Sequence, residues 1–293
     1  MNIWIIGAAG FVGTRLGRSL RDAGHNVVGV SRRHSQEADE SHRLDLSRTD
    51  SIGTVKALLS RSNPPDVVIN AASRQPGPGT LADFTRSNAV AIAYLLESLE
   101  QSPPRLFIHL STQSVYAQTS HLPLDEDRPA TASGAYPASK RLGEQIAQTF
   151  KGSPVVVLRL PSLYGKGQSD SFIDGFARTA LANEPLELYS NGQLIRDTLH
   201  ISDVIHAIAL LINAELKESN YILNLGCGSA VRTIEYAQTL TDVLGSQSEI
   251  LCVDRPASQF DLYADIGRAH RLIGFQPTGL RESLQRYADE LRA

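Results

Sequence analysis

The chain has 293 residues, with 28 basic and 31 acidic side chains intermixed along it and a net charge of −3. That length supports one large core with an appended lobe, and the charge balance leaves no basic stripe for nucleic acid and no polybasic patch for a membrane surface. Two cysteines, Cys227 and Cys252, cannot build a disulfide framework and have no metal-ligand spacing around them, so no metal site is expected and both read as small residues in a reducing compartment.

The first apolar run, Ile3-Trp4-Ile5-Ile6, lacks the basic flank of a signal peptide and leads directly into glycines. No later run approaches the ~18 residues of a membrane span, so a cytoplasmic protein without a membrane partner is expected. From there short apolar runs alternate with helical patterns, the signature of βαβ units and a parallel sheet. Strands are predicted at 2–6, 26–30, 41–45, 66–70, 105–110 and 154–158, and helices at 11–24, 50–61, 80–101 and 134–150. Ser/Pro-rich connectors at 62–65 and 102–104 separate the units. After Pro161 the pattern loosens: 161–197 reads as irregular apart from one helix near 170–183. Helices follow at 202–214, 232–245 and 279–292, with a last core strand at 221–225. The expected organisation is one domain of 1–160 plus 198–228 and a smaller lobe of 161–197 plus 229–293.

Gly7, Gly10 and Gly13 fall between the first strand and the first helix. Glycine lets the backbone approach a pyrophosphate closely, and the helix beginning at Phe11 and Val12 offers free N–H groups and the positive end of its dipole. A bound dinucleotide is therefore expected. The second strand ends at Ser31-Arg32-Arg33 rather than at the acid that would hold the ribose hydroxyls of NAD. Two guanidiniums suit a 2′-phosphate, so NADP(H) is favoured, with NAD(H) as the alternative. Asp45-Leu46 after the third strand and Ala71-Ala72 after the fourth extend the same cofactor site.

Tyr136 and Lys140 stand four residues apart on a predicted helix and so share a face. Reduction of a ketone needs a proton delivered as hydride arrives, and a phenol serves only where positive charge favours its phenolate. Lys140 and an oxidised nicotinamide both supply such charge. Ser111 and Thr112 lie at the C-terminal edge of the fifth strand, where ligands of open α/β sheets bind. A hydroxyl there can steady the charge that develops on the reacting oxygen. The expected catalytic set is Tyr136 and Lys140 with one of these two hydroxyls.

The glycine spacing, the Tyr-x-x-x-Lys pair, Arg159-Leu160-Pro161-Ser162-Leu163-Tyr164-Gly165, Arg196-Asp197-Thr198-Leu199-His200 and Asn224-Leu225-Gly226 together resemble the extended short-chain dehydrogenase/reductases, the nucleotide-sugar epimerase/dehydratase family. The resemblance runs along almost the whole chain. It implies an α/β fold with a Rossmann-type doubly wound parallel sheet and a smaller C-terminal α/β substrate lobe, acting by hydride transfer at a sugar carbon of a nucleoside diphosphate sugar. It makes Thr112 the catalytic hydroxyl beside Tyr136 and Lys140. It assigns Asn88, Ser111, Tyr136, Lys140 and Pro161 to the cofactor as well, and Ser73, Thr112, Gln113, Ser162 and Arg196 to the substrate, with Arg196 on the diphosphate. It implies a homodimer through helices 80–101 and 134–150, which light scattering would test. The 4,6-dehydratases of the family carry Asp-Glu where this chain has Gln113-Ser114, and an amide cannot exchange the proton that dehydration requires. A 4-epimerase and a 4-ketoreductase both remain. A non-catalytic NADP(H) sensor or an RNA-binding relative stands as the alternative class.

Overall fold

A computed structural model describes the chain apart from residues 62, 117, 119, 120, 132, 170 and 257–259. Residue 62 of the expected 62–65 connector and residue 170 of the expected 170–183 helix thus lie outside the described residues. The chain divides into two units, the first comprising 1–117, 129–159 and 208–223, the second 118–128, 160–207 and 224–293.

The first unit is built on strands β1 (Asn2–Ile6), β2 (Asn26–Ser31), β3 (Glu40–Arg43), β4 (Val67–Asn70), β5 (Leu106–Thr112) and β6 (Val155–Leu160). With the strand Asn220–Asn224 they form a seven-stranded sheet in the order Asn220–Asn224, β6, β5, β4, β1, β2, β3. The pairs β1–β2, β1–β4, β2–β3 and β4–β5 are parallel. Every residue of β4, β5 and β6 is buried, as continuous apolar strands covered on both faces must be. The order reverses between β1 and β4, the crevice at which such sheets take ligands.

Helices α1 (Phe11–Asp22), α2 (Ser51–Arg61), α3 (Leu81–Thr85), α4 (Ala91–Leu99) and α5 (Ala135–Ala147) flank the sheet. The sequence pattern over 80–101 predicts one helix; the structure inserts a π-helical turn at Arg86–Val90 between α3 and α4. Thr80 and Asp83 start this segment with reciprocal capping bonds, Asp83 N–H to Thr80 Oγ1 at 3.2 Å and Thr80 N–H to Asp83 Oδ2 at 2.9 Å. The core of the unit centres on Trp4, Val68, Leu95, Phe107 and Val157.

The second unit contains α6 (Phe172–Leu181), the start of α7 (Ile201–Ile212), α8 (Thr233–Leu244), α9 (Gly267–Ile273) and α10 (Leu280–Arg292). Its core sets aromatic rings among aliphatic side chains such as Ile173, Leu240 and Leu284: Tyr164 meets Tyr287 edge-on at 5.6 Å between ring centroids and Phe172 meets Tyr236 at 5.4 Å. Short strand pairs interrupt the stretch expected to be irregular, Ser162–Tyr164 with Thr198–His200 and Leu186–Leu188 with Ile250–Cys252.

Against the expected bounds, residues 118–128, 160, 198–207 and 224–228 fall in the second unit. Residues 118–128 join the second unit, where Leu124 bridges to Ala264 and the Glu126 carboxylate accepts the Asn224 N–H at 2.8 Å. Residues 198–207 join it too, since Asp203 accepts the Thr278 hydroxyl at 2.6 Å. Among the described residues no helix is long and apolar enough to cross a membrane.

Candidate active site

The glycine loop is shaped by close backbone approach. Gly7 sits at φ +86°, and a Cβ there would lie 2.7 Å from the Ala72 backbone N. A Cβ on Gly13 would lie 2.2 Å from the Gly7 carbonyl oxygen. Gly7 N–H donates to Val30 O at 2.7 Å and Ala71 N–H to Ile6 O at 2.9 Å, so the loop is tied to both neighbouring strands. The first bond of α1 runs from Thr14 N–H to Gly10 O. The N–H groups of Phe11, Val12 and Gly13 precede it, the free donors that suit a pyrophosphate.

A cavity of about 170 Å³ opens over this loop, with Gly7, Gly10, Ser31, Arg32, Arg33, Asp45, Leu46, Ala71, Ala72 and Ser73 in its wall. A cradle that any side chain would fill, walled by the residues after four successive strands, fits a dinucleotide. Replacing Gly13 by Val should abolish dinucleotide binding in calorimetry, because its Cβ already collides with fixed backbone; unchanged affinity would show that the loop does not bind the pyrophosphate.

At the end of β2 the Ser31 hydroxyl donates to the Arg33 carbonyl, and the Arg33 guanidinium reaches Ala9 O at 3.4 Å. Asp45 lies two residues beyond β3, which ends at Arg43 rather than at the expected 45. Its carboxylate accepts from Ser47 N–H at 3.0 Å and Ser47 Oγ at 2.7 Å. Burial raises its pKa, and the Ser47 bonds with Arg32 and Arg48 bring it below the ordinary value.

Two residues expected at the cofactor, Asn88 and Ser111, bond neighbouring protein groups. Asn88, in the π turn, accepts from Arg74 N–H at 2.7 Å and Ser73 Oγ at 3.3 Å, and donates to Arg74 O at 3.1 Å and Ser139 Oγ at 3.0 Å. An amide has two donors and two principal acceptor sites, so this side chain braces the loop after β4 against α5. Ser111 donates its hydroxyl to Glu144 Oε1 at 2.6 Å.

The predicted catalytic groups lie around the end of β5. The hydroxyls of Thr112 and Ser73 face the Tyr136 phenol and lower its pKa. Burial raises that phenol above its ordinary pKa of 10, and the two hydroxyls pull it back only in part. Phe84 packs edge-on against the Tyr136 ring, centroids 6.4 Å apart. Lys140 is 2% exposed and donates from Nζ to Leu110 O at 2.6 Å. Burial brings its pKa down to about 8, against the opposing pull of Glu144. The set can deliver or take one proton at a single oxygen. Ser73 as a partner of the phenol was not foreseen, since 63 residues of chain separate the two. Gln113 is buried in a short 3₁₀ turn directly after Thr112.

Pro161, Ser162 and Arg196 belong to the second unit. Ser162 pairs with Thr198 in a parallel bridge. Arg196 stands in a two-residue strand against Val231–Arg232, its guanidinium 5.9 Å from the centroid of the Phe172 ring. Burial lowers its pKa, and its Nε is buried without a hydrogen-bond partner. Its neighbour Asp197 accepts from Cys227 N–H at 2.8 Å and Ala264 N–H at 3.1 Å.

The family model described as "NAD dependent epimerase/dehydratase family" matches residues 3–226. The chain belongs to this family. It is of the extended short-chain dehydrogenase/reductase type, and its cofactor is a nicotinamide dinucleotide. Family relatives match end to end: Protein CapI of Staphylococcus aureus is 26% identical, covering 99% of this chain and 98% of its own. The UDP-glucuronate 4-epimerase of Thermodesulfobacterium geofontis is 25% identical over 96% of this chain and 93% of its own. Among solved structures, MoeE5 in complex with UDP-glucose and NAD superposes with a TM-score of 0.84 at 28% identity, covering 100% of this chain and 99% of that one. The parallel sheet and glycine loop described above are thus the family's own, and its chemistry is that of a nucleotide-sugar redox enzyme.

Proposed function

We propose that this chain is a nucleotide-sugar 4-epimerase, inverting C4 of a nucleoside diphosphate sugar through a bound nicotinamide dinucleotide. The observation that carries this reading is the half-buried Tyr136 phenol, facing the hydroxyls of Thr112 and of Ser73, itself a wall residue of the glycine-loop cavity. When bound, the dinucleotide supplies the hydride acceptor and donor. Tyr136 takes the proton from the C4 hydroxyl oxygen and later returns it. Thr112 hydrogen-bonds the same oxygen and steadies its charge. Lys140 provides positive charge that favours the phenolate and holds the ribose hydroxyls. Arg196 offers its guanidinium to the diphosphate, a role consistent with its unpartnered, buried Nε. Gln113 stands where a dehydratase needs an acid, so no elimination of water is derived. The UDP-glucose and NAD bound by MoeE5, and the 4-epimerase among the relatives, support the same assignment.

Arg32 and Arg33 favour a second reading, a 4-ketoreductase drawing on NADPH, because both line the cavity beside Ser31 and can take a 2′-phosphate. Denaturing the purified protein and identifying what it releases separates the two. Stoichiometric NAD, with UDP-sugar epimers interconverting without added cofactor, is the expected result. A site that is empty on purification and binds NADPH reversibly would overturn epimerisation in favour of reduction.

A further inference from the structure

Three residues of α5 spaced four apart, Tyr136, Lys140 and Glu144, meet three consecutive residues at the end of β5. Tyr136 faces the Thr112 hydroxyl, Lys140 Nζ donates to Leu110 O, and Glu144 accepts from Ser111. Glu144 is fully buried, and both of its carboxylate oxygens are engaged. Oε1 accepts from Ser111 Oγ at 2.6 Å and Arg159 Nε at 3.1 Å; Oε2 accepts from Arg159 Nη2 at 2.9 Å and Arg141 Nη1 at 2.9 Å. Arg159, on β6 and 1% exposed, is fixed in turn by Tyr116, whose hydroxyl accepts from Nη1 at 2.9 Å and whose ring centroid lies 4.8 Å from the guanidinium.

We propose that Glu144 is a positioning residue for catalysis, clamping the end of β5 to α5 through Ser111 and Arg159 so that Thr112 meets the Tyr136 phenol. A bidentate, buried carboxylate–guanidinium pair defines register far more sharply than apolar packing does. Helix α5 can neither slide nor rotate against β5 without breaking it. The second consequence is electrostatic. Glu144 lies one helical turn beyond Lys140 and favours its ammonium against burial. The other titratable groups around this cluster are His109 on β5, held neutral by burial and by Lys140, Tyr136 and Arg141 on α5, Tyr116 after β5, and Arg159 on β6.

The role rests on the proposed hydride-transfer reading, so the test has an arm that needs no substrate. Glu144→Gln retains an acceptor for Ser111 and removes the charge. In lysine-labelled, ligand-free protein, where only five lysines contribute, the NMR titration midpoint of Lys140 should fall below that of the wild type. In turnover assays kcat should drop roughly 10- to 100-fold with KM nearly unchanged, and the alkaline limb of the pH profile should move to lower pH. Ser111→Ala should lower kcat without moving the limb. Should Glu144→Gln fail to fold with Arg159 left unpaired, Glu144→Gln combined with Arg159→Met removes both charges and is read in the same way. A merely structural Glu144 would lower Tm while leaving the Lys140 midpoint, kcat per folded site and the pH limb as in the wild type, and that result overturns the proposal. A wild type inactive on every UDP-sugar tried, with the Lys140 midpoint still shifting, would instead count against the 4-epimerase reading.

Discussion

Tyr136→Phe should reduce turnover by roughly 10²- to 10⁴-fold, the range that a positioned proton-transfer group contributes, while leaving dinucleotide affinity unchanged. The substitution removes one oxygen and little else. The ring keeps its edge contact with Phe84, and the hydroxyls that lose the phenol have other partners, Ser114 for Thr112 and Asn88 for Ser73. The stability cost should therefore stay near the ~1 kcal/mol of an ordinary hydrogen bond. The cradle of Gly7, Gly10 and Gly13 makes no use of the phenol, so calorimetry with NAD should report wild-type binding. Full activity in this variant would remove Tyr136 from the mechanism and with it the hydride-transfer reading. The wild-type phenol adds a second constraint. Burial holds its pKa above the ordinary value in the ligand-free protein, so the phenolate forms only when further positive charge arrives. An absorbance titration of the phenol should move to lower pH on adding NAD, whose nicotinamide is cationic.

Much of this site could be read along the chain, and the rest could not, for reasons of distance and scale. The glycine loop was legible because its demand for space is local: Gly7 and Gly13 crowd backbone only a few residues away or at the next strand. The Tyr136–Lys140 pair was legible because helical spacing alone puts both on one face. The partners of that face were not. Ser73 reaches Tyr136 and Arg159 reaches Glu144 only through the order of strands in the sheet, which no periodicity encodes. Lys140 and Glu144 do repeat the same four-residue spacing, and that was the available signal for the clamp. The π turn at 86–90 hides inside an apolar pattern that an unbroken helix fits equally well. It aims Asn88 at the loop after β4. The strands of 162–200 run two or three residues, too short for an alternation to register.

Lys140→Met should abolish turnover and raise stability at neutral pH, two effects that follow from one buried ammonium. Burial lowers its pKa to about 8 from the ordinary 10.5, a difference worth roughly 3 kcal/mol. The folded state disfavours the proton that the unfolded chain keeps, so between pH 8 and 10.5 the unfolded state binds more protons and wild-type stability rises with pH. As pH falls through 8 the folded protein must take up the proton, and that stabilisation is lost. At pH 7 the wild type therefore bears the whole cost, and methionine, similar in length and uncharged, does not. Against this stands the bond to Leu110 O, whose loss leaves a buried carbonyl at a cost of about 1–2 kcal/mol. The net expectation is a variant about 1 kcal/mol more stable at pH 7, with a Tm a few degrees higher. Its advantage should shrink and then reverse as pH rises from 8 towards 10.5. Denaturant unfolding of both proteins at pH 7 and pH 10 measures the crossover. A variant less stable by the same amount at both values would show that the ammonium is not strained by burial. Turnover should fall about 100-fold or more, because the charge that favours the Tyr136 phenolate has gone. Activity and stability would then pull this one side chain in opposite directions, the pattern expected where a charge is kept in an apolar interior for the reaction it serves.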